Sequence, residues 1–143
     1  MTTLDHAVLA AMIPDDYDET HALWRQCEGV RISALDDREG FLKFLERNPG
    51  FSQTIRIDGK LAAAVMAGHD GRIGYLHHAA VAPQYRRAGI GRKIVGRCIS
   101  LLKQAGVKAV YAFVVQSNET GRSFWTSLGW TRRDVEVMQT ALD

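Results

Sequence analysis

The stretch that decides the fold is residues 81–93, which read VAPQYRRAGIGRK. It begins with the end of an apolar run, which Pro83 stops, and it continues into an amphipathic pattern from about Gly89 to Ala105. This order predicts a strand, a short loop rich in arginine and glycine, and a helix. The apolar residues of that helix form one stripe. They are Ile90, Ile94, Val95, Cys98, Leu101, Leu102 and Ala105.

The segments that follow this helix predict a parallel strand and one more helix. Residues 109–115 are almost wholly apolar, as expected for a strand that is buried on both faces. Because a helix crosses over between the two strands, they should be parallel neighbours in one sheet. Ser117 or Asn118 then caps a helix that Gly129 closes. Residues 130–142 contain enough β-formers for one or two last strands.

Upstream of this stretch, paired turns predict antiparallel strands. The dipeptide Asp58-Gly59 is the favoured two-residue hairpin turn and joins two β-rich runs. A second turn, Asp70-Gly71, opens a third run, which ends at Pro83. The three predicted strands are 51–57, 60–69 and 72–81.

The N-terminal part of the chain predicts a short strand and two helices. Residues 7–13 are an apolar run that is typical of a buried strand, and residues 15–27 carry apolar side chains at helical spacing. A second helix should start near Asp36, because Asp36 and Glu39 have the spacing of a capping box. Pro49 follows its end.

Together these elements predict a mixed α/β (α+β) fold. Its sheet has antiparallel N-terminal strands and a parallel pair joined by a crossover helix, and about four helices flank it. The chain has 143 residues, so we expect a single domain, 1–143. Hydrophobic residues make up 46% and charged residues 24%, which is typical of a protein with a buried core.

The composition argues against several classes of protein. A net charge of +2 is too small for a strong nucleic-acid binder. No apolar run approaches the ~20 residues that cross a bilayer, and the N-terminus lacks the pattern of a signal peptide. We therefore expect a cytoplasmic protein without a membrane partner. Cys27 and Cys98 are interpreted as buried small hydrophobes, and no metal is expected.

The loop before the central helix has the features of an anion site. A helix N-terminus offers unpaired N–H groups and the positive end of the helix dipole. Gly89 and Gly91 allow a ligand to approach the backbone, and Arg86, Arg87 and Arg92 add positive charge. Phosphate or pyrophosphate suits such a site, and a solvated basic turn is the alternative. The pattern is neither a Walker A loop nor a dinucleotide fingerprint.

Three motifs resemble those of one family, the GCN5-related N-acetyltransferase (GNAT) superfamily. The loop Arg-Arg-Ala-Gly-Ile-Gly at 86–91 is similar to its pyrophosphate motif, Gln/Arg-x-x-Gly-x-Gly/Ala. The preceding run at 79–83 resembles the family's fourth strand. The pattern Asn118…Gly121…Phe124-Trp125…Leu128-Gly129-Trp130 resembles its last helix. The resemblance is strong from 75 to 130 and weak before residue 50.

This resemblance implies acetyl-CoA as the co-substrate. Its pantetheine arm would pair with the backbone at Ala79 and Val81, in a splay between the parallel strands, with Asn118 beside it. Trp125 stands where the family often has a tyrosine that is proposed to protonate the departing thiolate. The pyrophosphate would bind the N–H groups of residues Arg86, Arg87, Ala88, Gly89, Ile90, Gly91 and Arg92.

The catalytic prediction combines strand alternation with the resemblance. Alternation places Tyr75, His77, Ala79 and Val81 on one face. The resemblance implies that His77 faces the acceptor, where histidine can accept a proton near neutral pH. Tyr75 is the second catalytic candidate. A satisfied, partly buried polar residue is the alternative for His77 and the favoured interpretation of His78.

We therefore expect direct transfer of an acetyl group to a primary amine of a small molecule or peptide. Neither cysteine is expected near the pocket, which argues against a covalent enzyme intermediate. Arg31, in a segment that borders the acceptor pocket in this family, could bind an acceptor carboxylate, and a solvated surface arginine is the alternative. The alternative is a non-catalytic acyl-CoA sensor or interaction module, and a homodimer is possible.

Overall fold

The computed structural model describes residues 2–142. Its sheet has five strands in the order β1-β2-β3-β4-β5. The strands are β1 (Ala7–Ala11), β2 (Gln53–Ile57), β3 (Lys60–His69), β4 (Gly74–Val81) and β5 (Val110–Ala112). The α-helices are α1 (Tyr17–Arg25), α2 (Arg38–Arg47), α3 (Ile90–Gln104) and α4 (Glu119–Ser127).

The topology confirms the predicted mixed sheet. The first four strands pair antiparallel in chain order, and β4 pairs parallel with β5 after the α3 crossover. The turn between β2 and β3 is confirmed as well, because Asp58 and Gly59 both have positive φ, 52° and 79°. Those angles match the twist that a two-residue hairpin requires.

Two apolar layers cover the two faces of the sheet. On the first face, α3 and α4 pack over β2, β3 and β4, and we call this the α3 side. On the second face, α1 and α2 bury Trp24 and Phe41, each 1% exposed, and we call this the α1/α2 side. The largest buried side chains of the α3 side are Ile55, Leu76, Ile90, Ile94 and Leu102.

Four details of the prediction were wrong. The first strand is an edge strand, and Val8 is 63% exposed rather than buried. The cap of α2 is Asp37, whose side chain accepts from the Gly40 N–H. The helix therefore begins one residue later than a cap at Asp36 predicts. Strand β5 is shorter than 109–115. Residues 130–142 form no strand within the described part of the chain, because no neighbouring strand pairs with them there.

Candidate active site

The parallel strands diverge beside the N-terminus of α3. Their pairing runs from Gly74 opposite Val110 to Leu76 opposite Ala112 and stops there. Strand β4 continues to Val81, while the chain after Ala112 leaves the sheet. The result is a wedge between β4 and β5 that opens toward the loop leading into α3. This is the splay that the resemblance implies.

The loop at the mouth of this wedge presents a row of free backbone donors. Within residues 2–142, the N–H groups of residues 87–92 donate to no protein atom, and the first paired donor is Lys93, whose N–H lies 3.1 Å from the Gly89 carbonyl oxygen. Arg87 and Gly89 both have positive φ, 62° and 83°. Successive free N–H groups with the helix dipole behind them suit a phosphate oxygen. Arg92 and Lys93 are exposed on the first turn of α3 and add positive charge.

Arg86 has a different position from the other arginines of the loop. Its Nε donates to the carbonyl oxygen of Val81 at 3.1 Å, and its Nη2 lies 3.6 Å from Cys27 Sγ. The Cys27 thiol itself donates to the same carbonyl at 3.6 Å. The Arg86 side chain therefore fastens the loop to the end of β4. Its N–H donates to the Pro83 carbonyl oxygen at 3.4 Å, so the expected phosphate contact of the Arg86 N–H is not available in this structure.

The expectation that neither cysteine lies near the site was wrong for Cys27. Its thiol reaches the end of β4 because the chain after α1 folds back against that strand. However, Cys27 is only 6% exposed, and burial raises the pKa of its thiol, although Arg86 opposes the shift. A buried, protonated thiol is a poor nucleophile. The argument against a covalent enzyme intermediate thus depends on burial rather than on distance.

Gly91 is a glycine for a reason that the sequence did not reveal. A Cβ at this position would lie 2.8 Å from Cε1 of Phe124 on α4. The missing side chain allows the Phe124 ring to pack directly on the first turn of α3. Gly91 therefore serves helix packing as well as any approach of a ligand to the backbone.

A β-bulge in β4 changes the faces of its side chains. Ala80 is opposite Ala64 but His77 is opposite Met66, so His78 and Ala79 together face one residue of β3. His78 adopts a left-handed conformation with φ of 50°. The extra residue reverses the alternation on one side of the bulge.

The predicted shared face of Tyr75, His77, Ala79 and Val81 is therefore wrong. Ala79 and Val81 pack against the α3 side, and the ring of His77 meets Phe44 of α2 on the α1/α2 side. Both candidate histidines of β4 lie on the α1/α2 side, since the ring of His78 meets Trp24. Strand alternation alone could not have found this, because it assumes a regular strand.

His77 lies in an aromatic cluster at the base of the wedge. Its ring stacks on Tyr75 with 5.9 Å between centroids, and it meets Phe113 at 5.7 Å and Phe44 at 5.8 Å. Burial lowers the pKa of His77 below its usual value, a charged His78 lowers that pKa further, and the Asp36 carboxylate raises it. A depressed pKa keeps the imidazole neutral at neutral pH, which is the form that can accept a proton.

His78 is a satisfied polar residue, as expected. Its Nε2 lies 2.9 Å from Oδ1 of Asp36. Its carbonyl oxygen accepts from Nε1 of Trp24 at 3.2 Å. The spacing of Asp36 in the sequence suggests a helix cap, and no pattern there indicates its contact with β4.

Asn118 and Gly29 meet across the open side of the wedge. The side-chain oxygen Oδ1 of Asn118 accepts from the Gly121 N–H at 2.9 Å, which caps α4 as predicted. A Cβ on Gly29 would overlap the Asn118 amide group. The segment after α1 therefore touches the start of α4 through Gly29, where any side chain would collide with Asn118. Arg31, two residues further, is exposed.

Trp125 lies on the α3 side of the sheet, apart from His77. Its ring meets Trp130 at 4.4 Å and Phe124 at 5.2 Å, and it is partly buried against the α3 side. The ring neighbours of His77, in contrast, are Tyr75, Phe113 and Phe44. These contacts are those of a side chain that packs in the apolar layer of the α3 side.

Comparison with known proteins identifies the family. The model of the acetyltransferase (GNAT) family matches residues 17–130. The chain belongs to this acetyltransferase family. A protein named acetyltransferase from Yersinia pestis (strain Pestoides F) is 24% identical over 124 residues, which cover 87% of each chain.

Solved structures share the fold of this GNAT acetyltransferase. The PaiA N-acetyltransferase from Thermoplasma acidophilum, solved in complex with coenzyme A, superposes with a TM-score of 0.79 at 15% identity, over 91% of this chain and 92% of that chain. An aminoglycoside acetyltransferase from an uncultured soil metagenomic sample, in complex with sisomicin, has a TM-score of 0.74 at 15% identity, over 97% and 98%.

No group of three or more His, Cys, Asp or Glu side chains among residues 2–142 is arranged to hold a metal ion. None of the helices in that part of the chain is long and apolar enough to cross a membrane.

Proposed function

We propose that this GNAT acetyltransferase moves an acetyl group from acetyl-CoA to a primary amine by direct transfer in a ternary complex. The main support for this proposal is the placement of the anion-binding loop and of His77. The free N–H donors of residues 87–92 lie at the mouth of the β4–β5 wedge, and the neutral imidazole of His77 lies at its base. An anion-binding loop and a proton acceptor thus flank the gap in which a thioester and an amine would meet.

The loop would bind the pyrophosphate of acetyl-CoA. The N–H groups of residues 87–92 supply hydrogen bonds, and Arg87, Arg92 and Lys93 supply positive charge. The pantetheine arm would follow the unpaired edge of β4 past Ala79 and Val81, with Asn118 on the opposite wall. The PaiA N-acetyltransferase with this fold was solved in complex with coenzyme A, which supports the same class of ligand here.

The acceptor would reach the thioester from the α1/α2 side. His77 would take a proton from the acceptor ammonium, directly or through water. The free amine attacks the thioester carbonyl, the new C–N bond forms, and the C–S bond breaks. Tyr75, stacked on the His77 ring, would hold the imidazole in place and is the second candidate for carrying a proton. The nitrogen loses a second proton to water as the amide forms, and the departing thiolate takes up a proton from water, so the products are an amide and the thiol of CoA.

The leaving thiolate should need no dedicated acid. A thiol has a reference pKa near ~8.5, so a departing thiolate gains little from protonation at neutral pH. Trp125 also packs with Trp130 rather than with His77. We expect Trp125→Phe to retain kcat within about tenfold, roughly 1.4 kcal/mol of barrier. Steady-state kinetics at constant acetyl-CoA saturation measure this. A collapse of kcat in a stable variant that still binds acetyl-CoA would give the indole N–H a chemical role.

The residues on the acceptor side of the sheet indicate which amines the site suits. Tyr75, Phe113 and Phe44 surround His77 with aromatic rings, which suits an amine on an apolar or planar group. Arg31 is exposed on the segment that touches Asn118, and we propose that it pairs with an acceptor carboxylate when one is present. Amino acids and short peptides combine these features.

A library of primary amines tests the proposed activity. Each amine is incubated with acetyl-CoA and the protein, and release of free thiol is followed over time. Steady release above the rate without amine supports an acetyltransferase. Binding of acetyl-CoA without release with any amine would favour the alternative, a non-catalytic acyl-CoA sensor.

A further inference from the structure

Asp36 connects two parts of the molecule that are far apart in sequence. It lies in a 3₁₀ turn, Ala34–Asp36, between α1 and α2. One carboxylate oxygen, Oδ2, accepts from the Ser33 N–H at 2.9 Å and closes this turn. The other, Oδ1, lies 2.9 Å from Nε2 of His78 on β4. The Asp36 and His78 side chains are 13% and 23% exposed, so water screens their contact only partly.

His78 is the strained residue of the β-bulge. Its φ of 50° is uncommon for a residue other than glycine, because the Cβ then lies close to the following carbonyl oxygen. Such a conformation persists only where the surroundings hold it. Here Trp24, 1% exposed, donates to the His78 carbonyl oxygen and packs its ring 4.8 Å from the imidazole, while Asp36 holds the far end of the side chain.

The bulge in turn decides where His77 points. Without the extra residue, His77 would share a face with Ala79 and Val81 on the α3 side, away from Phe44 and the segment that carries Arg31. A contact that stabilises the bulge therefore also fixes the side of the sheet on which His77 is presented.

We propose that Asp36 and His78 form a positioning clasp, which holds the 3₁₀ turn against the β4 bulge and thereby presents His77 to the acceptor side. Both are positioning residues, because their contacts are with each other and with the backbone rather than with the reacting atoms. This inference rests on the proposed function in one respect, because the effect of the clasp on kinetics can be measured only if the protein transfers acetyl groups. The structural consequence of the clasp does not depend on that activity.

The charges around His77 give a test that needs no substrate. The groups that face His78 are Asp36 from the 3₁₀ turn, His77 from the same strand and the uncharged indole of Trp24 from α1. The Asp36 carboxylate raises the pKa of His77 and a charged His78 lowers it. Removing either member should therefore move that pKa, in opposite directions.

The experiment follows the imidazole C–H signals of His77 by NMR as pH is varied. We expect Asp36→Asn to lower the pKa of His77, and His78→Asn to raise it. Asparagine at 36 can still accept from the Ser33 N–H, and asparagine at 78 tolerates positive φ, so neither variant by itself excludes the turn or the bulge. Asp37→Asn is the matched control. That residue caps α2 through the Gly40 N–H, a role that asparagine also fills, and it should leave the titration of His77 unchanged.

Hydrogen exchange tests whether the clasp holds the 3₁₀ turn and the bulge in place. Asp36→Ala should lose amide protection at residues 34–37 and around the bulge, and Asp36→Asn should retain most of it. With an acceptor from the amine library, Asp36→Ala should raise the acceptor KM by about tenfold while acetyl-CoA stabilises the variant as before. A tenfold change corresponds to about 1.4 kcal/mol.

The outcomes separate the clasp from the proposed function. Either of two results would overturn the clasp, even if acetyl transfer is observed. One is a shift of the His77 pKa in the same direction in Asp36→Asn and His78→Asn. The other is a shift of the His77 pKa in Asp37→Asn that is as large as in those two variants. Opposite shifts together with unchanged protection in Asp36→Ala would limit the contact to an electrostatic role and reject the positioning role. The absence of acetyl transfer with any amine would reject the proposed function and leave the titration result standing.

Discussion

Replacement of the proposed base should have the largest kinetic effect in the molecule. We expect His77→Ala to lower kcat by roughly 10²–10⁴-fold, the usual contribution of general base catalysis. Because burial lowers the pKa of His77, the wild-type rate should fall only as pH drops below the usual histidine range. The variant should lose this acidic limb. Steady-state rates measured as a function of pH, with both substrates saturating, test both expectations.

His69→Asn is a suitable control for that experiment. His69 ends β3 next to Gly74, at the opposite end of β4 from the loop, and its Nδ1 accepts from the Gly71 N–H. Its replacement should leave kcat and the acidic limb unchanged. If His77→Ala retains both, the imidazole is only a packing residue, and the acceptor must be deprotonated by another group or in bulk water.

Acetyl-CoA should stabilise the folded protein by mass action, by about 2.7 kcal/mol at a hundredfold excess over its dissociation constant. We attribute much of this affinity to the pyrophosphate on the N–H groups of residues 87–92. S-acetylpantetheine has the same thioester and arm but no pyrophosphate. At the same concentration it should raise the unfolding temperature far less than acetyl-CoA does.

Shortening the ligand is a cleaner test than enlarging Gly91. A side chain at Gly91 would meet Phe124 and would disturb the packing of α4 on α3 in the free protein. Shortened ligands leave the protein unchanged, so a difference in unfolding temperature can come only from the ligand. Equal stabilisation by S-acetylpantetheine and acetyl-CoA would contradict a phosphate site in this loop.

The parts of the fold that the sequence predicted correctly depend on local patterns. Asp58-Gly59 specifies a hairpin through its own φ preferences, and the apolar stripe of α3 specifies one buried helix face. The parallel pairing of β4 and β5 follows from the crossover rule once that helix is recognised. Asn118 was predicted as a cap for the same reason, because a cap is a contact between near neighbours in the chain.

The parts that were missed depend on contacts between distant residues. The bulge at His78 is held by Trp24 and Asp36, more than forty residues away in each case, so no pattern within β4 reveals it. The proximity of Cys27 to the end of β4 and the packing of Phe124 on Gly91 have the same origin. The β-formers in 130–142 suggested strands, but a strand requires a partner, and the sequence does not say whether one is within reach.

Direct acetyl transfer is tested most simply by following the acetyl group itself. The protein is incubated with isotope-labelled acetyl-CoA and an amine that stimulates thiol release, and all products are analysed by mass spectrometry. Direct transfer predicts one labelled amide for each thiol released and no label on the protein at any time. Label on a cysteine, or label found only as free acetate, would contradict direct acetylation of an amine.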